Sequence, residues 1–559
     1  MTERTRERLH YAAIGGGSLV VMLAIIAWMD NVHYGTLNGL FKSMDVAAWK
    51  ADWRAASLDH SNYLYYPLYA LLSHGLDAVG VFAGRTWKQV AVLNSVFAAV
   101  NVAVLFCLVR ILTGRRDAAF VAALFHLGSG FFLELATSNE DIMPGYTLVF
   151  AAMATAAVWF AAPTHRQVAI VSVLFTLGWL LEWRLMFPSL PPLLLALMLS
   201  GHPVRQRLVQ VGIFVLTMLA VALIAVNRWE GHAGAVGLPG VLWTGKGIAT
   251  GWAGFSWEKI ALLVSGMGEY VLGGWTIGSI NEFKARLAEW GPPFVLQAVL
   301  LPMLLVAAWR RRLEPRWRAV AVIFLGTLAG GQVMNAYSQP QDPQMQVNVM
   351  AWLPVAIGLL AGFLLARSAK PRRLAAVLLA LAAVPLLYNI AAFARVRGLD
   401  SERQGRIAAL ERLVDPDRTA MVYSGFEDEF AWHFALWRGR WGLGSNEGLD
   451  FCALAPAPVA DPKFKWISFL FPALYYPAET PEQHVARLKA DLDCAFDKGY
   501  RVIAGEAWNA TREQLVDRFT IIKGQHRAAA LHAFMHQTYS STPLAGLPEG
   551  VRYYELKRK

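Results

Sequence analysis

The stretch Trp28-Met29-Asp30-Asn31-Val32-His33-Tyr34 decides the fold. It closes an apolar run that starts near residue 11 and has the length of a membrane span, which takes about 20 mainly apolar residues. Arg4, Arg6 and Arg8 precede that run, as basic residues precede the apolar part of a signal peptide. No small-residue cleavage site follows, so the run reads as an uncleaved first span with Asp30 left at the lipid–water boundary. On position alone Asp30 only ends the span. It also stands where an enzyme acting on a membrane-borne substrate keeps an acid or base.

Runs of the same kind recur as far as residue 393, at 89–109, 118–136, 145–162, 168–183, 186–200, 208–226, 293–309, 319–335, 349–366 and 374–393. The 559 residues are 56% hydrophobic and only 16% charged, with 21 Trp, a composition suited to solvation by lipid with aromatic rings at the interfaces. The expected fold is a polytopic α-helical membrane protein of about eleven spans. The net charge of +11 does not point to nucleic acid, because the basic residues are not massed on one face or in a tail. They form short clusters between apolar runs, such as Arg110, Arg115 and Arg116, or Arg310, Arg311 and Arg312. Such loops mark the cytoplasmic side. This places a multi-pass protein in the plasma (inner) membrane with its N-terminus in the cytoplasm. An odd number of spans then puts everything after residue 393 outside.

Two regions follow. Residues 1–393 form a transmembrane module with long outer loops at 30–87 and 227–290. The first loop, with Trp49, Trp53 and the run Tyr63-Leu64-Tyr65-Tyr66, reads as helices lying in the interface. The second contains the apolar but Gly-interrupted stretch 260–277, which reads as a re-entrant or interfacial segment. Residues 394–559 form an extracytoplasmic α/β domain. In it 419–423 and 501–504 read as strands. The stretch 481–497 reads as a helix entered through Thr480 and closed by Gly499, and 511–519 as another helix. Cys452 and Cys494 either pair on an oxidising side or stay as two buried thiols.

Three polar clusters fall at span ends on the same side as Asp30. Glu140 and Asp141 are adjacent carboxylates between two apolar runs, and Asp141-x-x-Pro144 opens the next helix, so a capping role competes with a functional one. Glu182-Trp183-Arg184 interrupts apolar sequence. Ionic residues there cost about 2.5–3.5 kcal/mol on insertion scales, so they face protein or water. Arg184 is either half of an exposed turn or a guanidinium offered to a phosphate. The stretch from Tyr337 to Gln346 holds Gln341 and Asp342 between Pro340 and Pro343, with Gln344 just after. It supplies directional hydrogen bonds with little charge, as a polyhydroxylated ligand or a phosphate diester requires. Lys246 lies in a Gly-rich part of the second outer loop.

This order of features resembles the GT-C membrane glycosyltransferases that use polyprenyl-phosphate sugars, in particular the protein O-mannosyltransferase and aminoarabinose transferase branch. The likeness rests on an acid soon after the first span (Asp30), an acid opening the fourth (Asp141, with Pro144), and a basic residue before a proline at the end of the fifth (Arg184, Pro188). It also rests on a polar loop before a late span (Tyr337 to Pro354) and on a soluble C-terminal domain. The resemblance implies a lipid bilayer and a polyprenyl-phosphate-linked sugar donor as partners, with a glycan, lipid or protein hydroxyl as acceptor. It implies Asp30 as catalytic base and Glu140, Asp141, Arg184, Lys246, Gln341, Asp342 and Gln344 as substrate-binding residues. No cofactor is assigned; Glu140 and Asp141 are the candidate ligands of a divalent cation, with no third ligand identified. The alternative class is a transporter or flippase of a lipid-linked or polar substrate, against which stand the one-sided gathering of polar residues and the lack of an inverted repeat.

Overall fold

In the computed structural model of the chain, the described residues are 3–28, 37–54, 56, 58, 62–232, 235–242, 254–273, 280–310, 315–415, 418–424, 460–461, 466–470, 473, 476, 478–520, 524–547, 549 and 551–559. The first helix, α1 (Glu3–Trp28), ends just before the opening stretch. Two helices follow in the first long loop, α2 (Leu37–Ala51) and α3 (Tyr65–Ala78), and then a long apolar helix α4 (Thr86–Thr113). The pair α5 (Arg116–Gly128) and α6 (Gly130–Thr137) meets at Ser129 in a 66° bend.

Next come α7 (Ile142–Trp159), α8 (His165–Leu181), α9 (Met186–Met198) and α10 (Val204–Arg228). The second long loop holds α11 (Leu238–Leu242), α12 (Trp257–Glu269) and α13 (Ile280–Ala285). Then α14 (Leu287–Arg310), α15 (Pro315–Tyr337), α16 (Pro343–Val349), α17 (Trp352–Arg367) and α18 (Pro371–Leu413) complete the helical part.

The stretches expected to span fall on helices of this series, except that 118–136 is the bent pair α5 and α6 and 349–366 runs across the break between α16 and α17. Among the described residues, seven helices are long and apolar enough to cross a membrane, or eight with the bent pair taken as one span. The expected spans 168–183 and 186–200 are α8 and α9, of 17 and 13 residues, shorter than a straight crossing takes. The chain is thus a polytopic α-helical membrane protein with a small sheet near its C-terminal end.

That sheet has six strands in the order β2-β3-β1-β4-β6-β5. They are β1 (Thr419–Tyr423), β2 (Ala460–Asp461), β3 (Trp466–Ser468), β4 (Arg501–Ala504), β5 (Tyr539–Pro543) and β6 (Tyr554–Arg558). β1 lies parallel to both neighbours, with Met421 opposite Trp466 on one side and Ile503 on the other. The helices α19 (Pro481–Asp497), α20 (Arg512–Phe519) and α21 (Ala528–Thr538) complete this region. Val422, Ile467, Leu488, Val502, Trp508 and Leu531 belong to its buried core.

The helices expected at 481–497 and 511–519 are α19 and α20, each entered through a capping box: Thr480 with Gln483, and Thr511 with Gln514. Gly499 takes φ +76°, the left-handed conformation that ends a helix. Cys494 is disulfide-bonded, and Cys452 lies outside the described residues. The 43-residue α18, about 65 Å long at 1.5 Å per residue, passes residue 393 without a break. Near its end the Leu413 carbonyl accepts a hydrogen bond from Arg501 of β4 at 2.9 Å.

Candidate functional site

The site begins with a close helix crossing. A Cβ on Gly145 of α7 would stand 2.9 Å from the Gly178 carbonyl oxygen of α8 and 2.8 Å from the Glu182 Cβ. Only a residue without a side chain lets the two backbones approach so closely. The N-terminal end of α7, which carries Asp141, is thereby set against the turn Glu182–Leu185 that joins α8 to α9.

The loop from Ser138 to Asp141 is fixed from the other side by Asn94 of α4. Its amide donates to the Ser138 carbonyl at 2.9 Å and the Glu140 carbonyl at 2.6 Å, while its oxygen accepts from Tyr69 of α3 at 2.6 Å. Helix α2 docks on the same loop: Asn139 donates to Ser43 at 2.9 Å, and a Cβ on Gly39 would lie 2.7 Å from the Asn139 side-chain oxygen. Two chain junctions, distant in sequence, therefore meet at one end of the bundle, held there by side chains of α2, α3 and α4.

At their meeting point lies a cluster of paired charges. Asp141 Oδ2 faces Lys42 Nζ at 3.3 Å, and Asp141 Oδ1 faces Arg184 Nη2 at 3.4 Å. Glu182 holds Arg184 side-on, with Oε1 2.6 Å from Nε and Oε2 2.9 Å from Nη2, and its Oε1 also accepts from the Arg184 backbone N–H. Asn62 ties the group together. Its amide donates to Asp141 Oδ2 and Glu182 Oε2, both at 3.0 Å, and its oxygen accepts from Lys42 at 3.1 Å. Asp141 and Glu182 are fully buried, whereas the Arg184 side chain keeps 19% of its surface. Burying charge without partners costs several kcal/mol per ion, and these four charges meet that cost with one another.

The capping role open to Asp141 is not taken: it occupies the position before α7 but makes no side-chain cap bond, its carboxylate being turned to the two cations and the amide. Glu182 and Arg184 likewise do not form an exposed turn. Alongside the cluster, Gln344 donates to the Glu140 carboxylate, joining the loop before α7 to α16. Asp342 caps α16 by accepting from the Gln344 backbone N–H at 2.8 Å. Burial pushes the Asp342 carboxyl above the usual carboxylate range, and the positive charge of Arg184 opposes the shift. Gln341 is buried beside them, and Gln346 donates to the Pro340 carbonyl.

Of the residues expected from sequence, Asp141 and Arg184 are in direct contact, Glu140 is joined to Gln344, and Asp342 lies within the field of Arg184 and Asp141. Asp30 and Lys246 lie outside the described residues. The residues that sequence reasoning missed are Lys42 and Asn62, and Glu182 was noticed only as the neighbour of Arg184. A signal for Lys42 existed: Gly39, Lys42, Ser43, Val46 and Trp49 of α2 are buried at the spacing of one helix face, so a lysine belongs to the buried stripe. As for a metal, Glu140 and Asp141 are both engaged by protein partners. Among the described residues no three His, Cys, Asp or Glu side chains are grouped so as to hold one.

Fold and cluster together define a multi-span membrane protein with a buried, ion-paired polar centre at one end of its helices. Among solved structures the fold is similar to that of ArnT from Cupriavidus metallidurans. The structure of that protein bound to undecaprenyl phosphate aligns with a TM-score of 0.53 at 12% identity, over 99% of this chain and 98% of that one. Its apo structure aligns with a TM-score of 0.51 over the same shares. The chain thus shares its overall fold with that protein. No family model and no curated protein matches the sequence.

Proposed function

We propose that the chain is a membrane glycosyltransferase that moves a sugar from a polyprenyl-phosphate donor to an acceptor hydroxyl on the extracytoplasmic side, with inversion. The observation that carries this reading is the convergence of Lys42 and Arg184 on one buried cluster, in a fold shared with a protein solved with undecaprenyl phosphate. A guanidinium clamped along one edge presents its other edge in fixed geometry, which suits a phosphate oxygen. Arg184 Nη1 is the guanidinium nitrogen that neither Glu182 nor Asp141 engages.

The donor's phosphodiester lies against Arg184 and Lys42, with Lys246 as a further cation from the second loop. Gln341, Asp342 and Gln344, with Glu140, orient the sugar. Asp30 accepts the proton of the acceptor hydroxyl as its oxygen attacks the anomeric carbon. The bond from that carbon to the phosphate oxygen breaks, and the polyprenyl phosphate leaves with the electron pair, its growing charge met by the two cations. A single displacement inverts the anomeric centre. In this arrangement the N-terminus is cytoplasmic, and residues 394–559 form a domain on the side where transfer takes place.

The test is transfer from synthetic polyprenyl-phosphate sugars by vesicles carrying the wild type, Asp30→Asn or Lys42→Met at matched levels. Both variants should lose product by about a hundredfold or more. Unchanged product with either variant removes that residue from the mechanism. Transport of an intact lipid-linked sugar without a new glycosidic bond would favour the flippase reading.

A further inference from the structure

We infer that Glu182, held in place by Asn62, is a positioning residue that also weakens the grip of the site on the spent polyprenyl phosphate; this rests on the glycosyltransferase reading. A pocket meant only to hold a phosphate would be lined by cations. Here the two cations, Lys42 and Arg184, stand against two buried carboxylates, Asp141 and Glu182. The four ion-paired groups sum to zero charge, and Glu140 and Asp342 stand next to them on the acidic side.

The reaction changes the ligand's charge. The donor is a phosphodiester with one negative charge, whereas the product is a phosphomonoester whose second ionisation lies near pH 6, so at neutral pH it carries between about 1.5 and 2. Cations alone would therefore bind the product more tightly than the donor and retain it. A fixed carboxylate next to the guanidinium acts against the more highly charged species the more strongly.

Glu182 is built for that task and not for exchange. It is fully buried, and its two oxygens take Nε, Nη2 and the backbone N–H of Arg184, together with the Asn62 amide. The guanidinium cannot rotate without breaking both side-on bonds. Asn62 meets Asp141 and Glu182 with one amide group and Lys42 with its oxygen, so the two like charges share a neutral donor. A carboxylate in its place would repel both.

The experiment measures binding of undecaprenyl phosphate to the full-length protein in detergent micelles, with donor turnover alongside. Glu182→Gln keeps the shape and one acceptor oxygen while removing a negative charge. Its Kd for undecaprenyl phosphate should fall at least tenfold, with donor KM lowered, kcat lowered and stronger product inhibition. Asn62→Asp puts a negative charge beside Asp141 and Glu182 in exchange for the amide donor they share, and should raise that Kd at least tenfold. A role in folding alone would not move the two variants in opposite directions. A Kd that is unchanged or higher in Glu182→Gln overturns the inference while leaving the glycosyltransferase reading in place; if that variant does not fold, an unchanged or lower Kd in Asn62→Asp does the same. A folded wild type that binds no undecaprenyl phosphate overturns both.

Discussion

Asp141, in the helical bundle, and Asp491, in the C-terminal region, are both buried aspartates, and the protein treats them in opposite ways. Asp141 has Lys42 and Asn62 on one oxygen and Arg184 on the other. Asp491, on α19, is 1% exposed, and neither of its oxygens has a hydrogen-bond partner among the described residues. Burial pushes its carboxyl up to about 7, against the opposing field of Arg487. The first aspartate is paired by groups brought from distant parts of the chain. The second is kept neutral by its surroundings up to about neutral pH. A buried acid therefore marks a site only when the structure has gone to the trouble of pairing it.

The most severe way to break that contrast is to remove Arg184. Arg184→Ala leaves Glu182 buried with only the Asn62 amide and the backbone N–H of residue 184, and leaves Asp141 with one cation in place of two. Breaking a buried pair on one side destabilises by about 3–5 kcal/mol. The variant should lose several degrees of thermal stability in detergent and essentially all transfer. Arg184→Lys restores the charge but not the side-on fork, so it should recover more of the stability than of the activity. Equal recovery of both would mean that the fork geometry is irrelevant.

The second test sharpens the comparison through pH. The folded Asp491 pKa of about 7 stands above the unfolded value of about 3.9. Below about pH 4 both states hold the proton. As pH rises, the unfolded chain releases it first, so this group's contribution is lost progressively and is gone above about 7, at most about 4 kcal/mol in all. His484 on the same helix works the other way: burial, with the help of Arg527, pushes it down to about 3. Its contribution is present above about 6.5 and falls away in acid. Asp491→Asn removes only the first effect. Thermal melts at pH 5 and pH 8 should therefore show the variant gaining on the wild type at the higher pH. Parallel pH dependence in the two proteins would mean that Asp491 finds a partner on ionising.

The same contrast explains what could be read from sequence. Caps, periodicity and turn glycines act over a few residues, so Thr480, Gly499 and the spans of the bundle were legible. So were the acids and the arginine at span ends, because a charge interrupting an apolar run is conspicuous locally. Lys42 and Asn62 were not. Lys42 meets Asp141, 99 positions along the chain, and Asn62 meets Glu182 at a separation of 120. No local pattern encodes such a meeting. It depends on the Gly145–Gly178 crossing and on the seating of α2 over Asn139, which are tertiary facts. The Asp30 and Lys246 expectations concern residues outside the described part of the structure, and Asp30→Asn is the direct test of the first.

The smallest effect should come from the most local interaction. Thr480 closes a reciprocal pair of bonds at the start of α19: its hydroxyl accepts from the Gln483 backbone N–H at 3.3 Å, and the Gln483 side chain accepts from the Thr480 N–H at 2.9 Å. Both bonds of that exchange lie within one turn of helix. Thr480→Ala should cost about 1 kcal/mol, seen as a modest fall in the melting temperature, with transfer unchanged at temperatures where the protein is folded. A loss of activity out of proportion to that fall would tie α19, and through it the C-terminal region, to the transfer reaction.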